Sequence, residues 1–365
     1  MDKLNTSRRQ LIKRAGLGVA LLSTGAGRQV WAATPKRKLG VALVGLGYYS
    51  RDLLAPALQL TEHCELRGIV TGSPEKIPVW QQKYGIKDTN VYNYGNMHRL
   101  ANNPDIDVIY IVVPTGLHMK YSIIAANAGK HVWCEKPMAM SVQECQTIID
   151  ACRKNKVKLS VGYRMQHEPN TQTVIQYAHS RPYGALQTIN ATAAYAGNGL
   201  PADNWRMQAD MGGGALYDMG VYAINGARYA AGLEPIAVTA TRDFSHPKFK
   251  EVDNTTSLTL EFPKGIIAKC RTSVVEPGNK LRVNCAEGWY ELAPMQSYNG
   301  VQGVTSDGKK LNKFIANQQA AQMDSDALAI INNTPVKVPG EEGLKDIAIV
   351  RAAIKSSEKK KRIEL

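Results

Sequence analysis

Residues 39–50 read LGVALVGLGYYS. The run from Leu39 to Val44 is continuously apolar or small, and Gly45 and Gly47 follow it directly. A strand with no polar alternation is one buried on both faces, as in a parallel sheet covered by helices. Glycines between such a strand and the next helix let the backbone come close to a pyrophosphate, which a helix N-terminus stabilises. The third glycine of that fingerprint is replaced by Ser50, so its weight rests on context.

The context repeats. ELRGIVTGS (65–73), DVIYIVVP (107–114), HVWCEKP (131–137) and KLSVGYR (158–164) read as further buried strands. PEKIPVWQQKYG (74–85), LHMKYSIIAANAGK (117–130) and SVQECQTIIDACRKNK (141–156) read as the helices between them, with Ser73 a plausible N-cap for the first. Strand–helix alternation at this spacing predicts an α/β fold, a Rossmann-type doubly wound parallel sheet. Beyond residue 163 strands dominate: LQTINATAAYA, AVTATRDF, TTSLTLEF, GIIAKCRTSVV and KLRVNCAEGWYEL. They predict a C-terminal α+β domain with a largely antiparallel open sheet, interrupted early by one helix in GGALYDMGVYAINGARYAAG (213–232). The expected division is residues 1–33 as a leader, 34–162 as the dinucleotide-binding domain, 163–342 as a substrate and oligomerisation domain, and 343–365 as a closing helix and tail.

The leader carries its own address. Arg8 and Arg9 precede a short apolar run, Ala15 to Gly27, and the small residues Ala32 and Ala33 end it. That order is a signal peptide of the twin-arginine type, which predicts a periplasmic protein handed folded to the twin-arginine export machinery. The run is shorter than the roughly 20 apolar residues a spanning helix needs. The chain's net charge is +14, of which residues 1–33 carry +5. The remaining +9 is scattered, its one dense run being EKKKR (358–362) at a helix end, where cations suit the dipole. A nucleic-acid partner is therefore not expected. The six cysteines show no CxxC spacing, and export in the folded state predicts free, mostly buried thiols. The seven histidines show no metal-ligand spacing and no GxSxG turn is present, so neither a metal nor a serine nucleophile is expected.

Chemistry-bearing residues fall at the strand ends. Gly45, Gly47, Tyr48 and Tyr49 form the first turn. At the end of the second strand an acid would hold the ribose diol of NAD. Here stand Thr71, Gly72 and Ser73, with Lys76 one turn on, a set that suits a phosphate and predicts NADP, with NAD possible. Glu135, Lys136 and Pro137 end another strand, and Pro137 keeps Lys136 out of helical geometry. Asp218 and Tyr222 are four residues apart, on one face of a regular helix, where a carboxylate and a phenol can handle a hydroxyl proton.

Taken together, GLGYYS, VPTGLH, CEKPMA, GYR, NWR and GGGALYDMGVYAINGARY resemble the Gfo/Idh/MocA oxidoreductase family, and within it the glucose–fructose oxidoreductase branch. The likeness runs from Leu39 to about Glu342. It implies that Lys136 sits beside the nicotinamide, that Tyr222 is the proton donor and acceptor, and that Asp218 binds a sugar hydroxyl. It implies that Thr71 and Lys76 grip a 2′-phosphate, that Pro114, Thr115 and His118 edge the coenzyme, and that Arg164, Trp205 and Arg206 line the nicotinamide and sugar pocket. The expected activity is an exported NADP-dependent sugar oxidoreductase, a homodimer or homotetramer, passing hydride from an aldose, oxidised to its lactone, to a second carbonyl sugar. The alternatives are an NAD-dependent glycosidase of the same fold and a non-catalytic sugar sensor. After the leader only Thr34 to Lys38 precede the first strand, where that branch carries a long arm over the coenzyme.

Overall fold

The computed structural model describes residues 37–365 apart from residues 198 and 202, so the expected leader lies outside the described residues. Six strands, β1 (Leu39–Val44), β2 (Cys64–Val70), β3 (Val91–Tyr92), β4 (Val108–Ile111), β5 (His131–Cys134) and β6 (Leu159–Val161), form one sheet in the order β3-β2-β1-β4-β5-β6. All neighbours run parallel. The register aligns the strand ends: Val44 pairs with Val70 and Ile111, and Ile111 with Cys134. Gly45, Thr71, Val112 and Glu135 therefore leave the sheet along one edge, the carboxyl edge where ligands of such sheets bind.

The glycine turn after β1 opens a helix that widens into a π turn at Ser50–Leu54 and closes as α1 (Ala55–Ala57). α2 (Ile77–Tyr84), α3 (His118–Asn127) and α4 (Val142–Lys154) are the crossover helices. Ser141 caps α4 by accepting from the Glu144 amide at 3.2 Å.

The second sheet has nine strands: β7 (Leu186–Ala194), β8 (Ala237–Asp243), β9 (Thr255–Glu261), β10 (Ile267–Ser273), β11 (Gly278–Cys285), β12 (Gly288–Leu292), β13 (Gly303–Thr305), β14 (Lys310–Leu311) and β15 (Ile363–Glu364). Their order is β14-β13-β12-β11-β7-β10-β9-β8-β15, antiparallel throughout except for the parallel pair β7–β10. β7 alternates as a half-covered strand should, Ile189 and Ala191 inward and Asn190 outward. The inner face packs on α6 (Val221–Ala231), which follows α5 (Pro169–Ser180) in the chain.

α7 (Gln318–Ile331) and α8 (Gly340–Lys359) return the chain to the first sheet. Ala320, Met323 and Ala327 of α7 join the same core cluster as Val41, Leu43, Tyr110 and Trp133. α8 packs on α4 and on β8, bridging the two sheets. The buried Arg228 of α6 bonds Asp346 of α8 at 2.6 Å and Glu342 at 2.9 Å, so that bridge is also ionic. All six thiols are free and five are buried. Among the described residues no helix is long and apolar enough to cross a membrane.

Candidate active site

The first turn is shaped for close approach. Gly45 has φ +93°, and a Cβ there would lie 2.7 Å from the Val112 carbonyl oxygen. Gly47 faces open space. Ser50, standing for the third glycine, donates from Oγ to the Gly45 carbonyl at 2.6 Å and so closes the turn itself. Tyr48 is exposed, while Tyr49 leans inward with its ring 6.1 Å from that of Tyr298. After β2, the Thr71 hydroxyl accepts from the Ser73 amide at 3.0 Å. Ser73 makes no side-chain cap bond to the turn that follows, contrary to the expectation for it. Lys76 reaches back from that turn to the Leu46 carbonyl at 3.4 Å. An open glycine turn with an ammonium hanging over it fits a dinucleotide pyrophosphate and a neighbouring phosphate.

Lys136 enters from the end of β5 through a cis bond to Pro137. Its Nζ donates to the Asp218 carbonyl at 2.9 Å and stands 4.4 Å from the Tyr222 ring centre. Three residues expected at the coenzyme, His118, Glu135 and Thr115, are buried and held by contacts within the protein. His118 lies with Nδ1 2.9 Å from the Pro137 carbonyl and Nε2 2.8 Å from that of Val113. Burial pushes its pKa down to about 4 against the pull of these carbonyls, and the neutral ring, with one N–H, donates to one of the two. Glu135 turns under the sheet edge, accepting from the Tyr110 hydroxyl at 2.6 Å. Thr115 is packed away against the 209–212 turn, where a Cβ on Gly212 would lie 2.7 Å from Thr115 Cβ. Pro114 precedes it as the cap of that short turn.

Asp218 lies in a π turn, Leu216–Gly220, that leads into α6. The four-residue spacing is thus set on a wider turn than that of a regular helix. Lys136 bridges the two by touching the backbone of one and the ring of the other. The Asp218 carboxylate accepts from Arg206 Nε and from the Tyr195 hydroxyl, both at 2.9 Å. Burial pushes this carboxyl up, but Arg206 and Lys136 outweigh it and hold Asp218 below the usual range. Arg206 stacks on Trp205, its guanidinium carbon 4.4 Å from the ring centre. Asn204 caps that turn by accepting from the Arg206 amide at 3.0 Å.

Arg164 is brought close but spent on the second domain. Its Nη1 bonds the Ser297 carbonyl at 2.9 Å and the Gln318 side chain, and Nη2 bonds Gln296 at 3.2 Å. Its guanidinium lies 4.6 Å from the Tyr298 ring centre and 5.7 Å from that of Tyr222. Tyr195, Tyr298, Tyr110 and Gln322 are therefore site residues that the sequence did not announce. Each arrives from a separate element, and none sits in a local pattern that spacing could reveal.

Comparison with known proteins agrees with this geometry. Residues 39–163 match an oxidoreductase family with an NAD-binding Rossmann fold, and residues 171–291 match the GFO/IDH/MocA C-terminal domain. The crystal structure of an aldose-aldose oxidoreductase from Caulobacter crescentus, complexed with glycerol, is 35% identical with a TM-score of 0.86, over 90% of this chain and 100% of that one. A D-xylose 1-dehydrogenase [NADP(+)] of Haloarcula marismortui is 25% identical over 96% of this chain and all of its own length. A D-xylose 1-dehydrogenase (NADP(+)) of Haloferax volcanii is 26% identical over 90% and 98%. With both domains matched and the dinucleotide turn in place, the chain belongs to the Gfo/Idh/MocA family of NAD(P)-dependent oxidoreductases.

Proposed function

We propose that this protein is an exported NADP-dependent sugar oxidoreductase that oxidises an aldose to its lactone and reduces a second carbonyl sugar in the same site. The observation that carries the reading is the meeting of Lys136 Nζ with the Asp218 carbonyl at 2.9 Å and the Tyr222 ring at 4.4 Å, at the carboxyl edge of the parallel sheet. The likeness to an aldose-aldose oxidoreductase at 35% identity supports the two-sugar form, and the NADP-dependent xylose dehydrogenases support the coenzyme.

Oxidising an anomeric hydroxyl breaks its O–H and C1–H bonds and forms the lactone carbonyl; a proton and a hydride leave. When bound, NADP supplies the acceptor for that hydride. Tyr222 holds the proton at its phenol oxygen. The Lys136 ammonium stands 4.4 Å from the centre of its ring and the Arg164 guanidinium 5.7 Å from it. Asp218, kept ionised by Arg206, accepts a hydrogen bond from a neighbouring sugar hydroxyl and orients the ring. In the second half-reaction the carbonyl sugar takes up the hydride and Tyr222 returns the proton, giving the alditol. Electrons and protons then balance with no outside reductant. Thr71 and Lys76 hold the 2′-phosphate; no carboxylate ends β2 to select a ribose diol.

The Arg8-Arg9 leader supports export in the folded state, with coenzyme loaded beforehand, and assembly is as a homodimer or homotetramer. Replacing both arginines by lysine is expected to leave the protein in the cytoplasm. The function is tested by incubating the purified protein with two aldoses and no added coenzyme. Lactone and alditol in equal amounts are expected. Sugar release from an aryl glycoside would instead indicate a glycosidase, and binding without any product a sensor.

A further inference from the structure

α7 lays three polar side chains, Gln318, Gln322 and Asp326, on one helical stripe facing the protein interior, and all three are buried. Successive spacings of four residues put them on one face. Two of them reach the active site from behind. Gln318 accepts from Arg164, and the Gln322 side-chain amide donates to the Tyr110 hydroxyl oxygen at 3.1 Å. Tyr110 has a single proton, and it points at Glu135 Oε1, 2.6 Å away. The other oxygen, Oε2, accepts from the Lys136 backbone amide at 3.2 Å. The result is a one-way chain from α7 to the residue that bears the reactive ammonium.

Its geometry leaves little slack. A Cβ on Gly162, at the exit of β6, would lie 2.5 Å from Glu135 Oε1, so that strand packs directly on the carboxyl group. The charged and titratable groups facing Glu135 are Tyr110 from β4, Tyr49 from the β1 turn, Lys136 beside it, Arg164 after β6 and Tyr298 from the loop before β13. Tyr110 is the one that donates a side-chain hydrogen bond to it.

We propose that Gln322 and Tyr110 are positioning residues for the reaction: from α7 they anchor the Glu135 carboxylate beneath the Lys136 backbone and so fix where the Lys136 ammonium stands against Tyr222. This rests on the reading of Lys136 and Tyr222 as the reacting pair. Burial raises the Glu135 carboxyl to about 7, with Tyr110 and Lys136 opposing, so loss of the Tyr110 donor moves it higher still.

The test compares wild type with Tyr110→Phe and Gln322→Met, taking E135Q to assign the Glu135 carboxyl band in the infrared. In Y110F the band's titration midpoint is expected to rise by about one pH unit, the loss of one strong charge-assisted hydrogen bond. The acid limb of kcat should move with it, and kcat at pH 7 should fall about fivefold while coenzyme Kd stays within twofold. Q322M should shift both in the same direction by less, and it carries the test if Y110F does not fold. Unmoved midpoints with unchanged kcat in both variants would overturn the proposal. So would a fall in kcat matched by lost coenzyme affinity at an unmoved midpoint. The infrared readout needs no substrate, so a shifted midpoint in a protein that turns over no sugar pair supports the Gln322–Tyr110–Glu135 link and counts against the sugar reading alone.

Discussion

Lys136 donates to the Asp218 backbone carbonyl, and its charge adds to that of Arg206 in keeping the carboxylate ionised; this decides how the work is divided. The carboxylate is left to Arg206 and Tyr195, while the ammonium is free to face Tyr222. Replacing Tyr222 by Phe removes the proton carrier but keeps the ring under Lys136. Single-turnover kinetics are expected to show a loss of about 10²–10⁴-fold in hydride transfer with sugar binding retained. At the coenzyme end, Lys76→Met removes the ammonium over the glycine turn. Binding titrations of the coenzyme-stripped protein should show the Kd for NADP rising by about tenfold or more, the worth of one charge-assisted contact, with that for NAD little affected. Lys136, Tyr222 and Gly45 were legible in sequence because each sits in a short motif at a strand or helix end. Tyr110 and Gln322 were not, being 212 residues apart and joined only by the fold.

The elements that escaped the sequence are those whose buried faces are polar. α5 buries Asn170, Thr171 and Thr173 beside Val174 and Ala178, and α7 buries Gln318, Gln319, Gln322 and Asp326 beside Ala320, Met323 and Ala327, so polar residues break up the apolar stripe of each. The strands β1, β4 and β5 were plain because burial on both faces leaves nearly continuous apolar runs. The π turn at Leu216–Gly220 was invisible, since its residues are ordinary helix formers. Polar burial has a measurable cost at Asp326, a fully buried carboxyl whose desolvation outweighs the help of Ser160 and Lys337. Burial pushes its pKa up to about 7. The folded state therefore holds this proton over a range where the unfolded chain, with its carboxyl near ~3.9, has released it. Its contribution to stability is full below that lower value and is lost as the pH rises through about 7. Asp326→Asn removes the titration. Relative to wild type its melting temperature should gain as the pH is raised from 4 to 8, with wild type falling by at most about 1.4 kcal/mol per pH unit over the window. Equal pH dependence of the two proteins would contradict this.

At the scale of the molecule, the two sheets are joined by the last third of the chain. α7 completes the core of the dinucleotide domain, and α8 bridges α4 to β8. That return explains why the coenzyme edge and the sugar side hold a fixed relation, with Arg164 and Tyr298 locked between them. The overall architecture and the closing helix were readable in strand and helix rhythm; the partners that α7 and α8 close upon were not, because they join residues 118 to 212 positions apart. A site that regenerates its own coenzyme suits the export proposed above, and in that reading the leader and the chemistry belong together. The central claim is that hydride passes from one sugar to another within a single site. Its most direct test is to supply an aldose carrying deuterium at C1 together with an unlabelled second sugar, without added coenzyme. Deuterium on the former carbonyl carbon of the alditol, in amount equal to the lactone formed, is the predicted result. Lactone formation only when free coenzyme is added, with the deuterium found on that coenzyme, would contradict it.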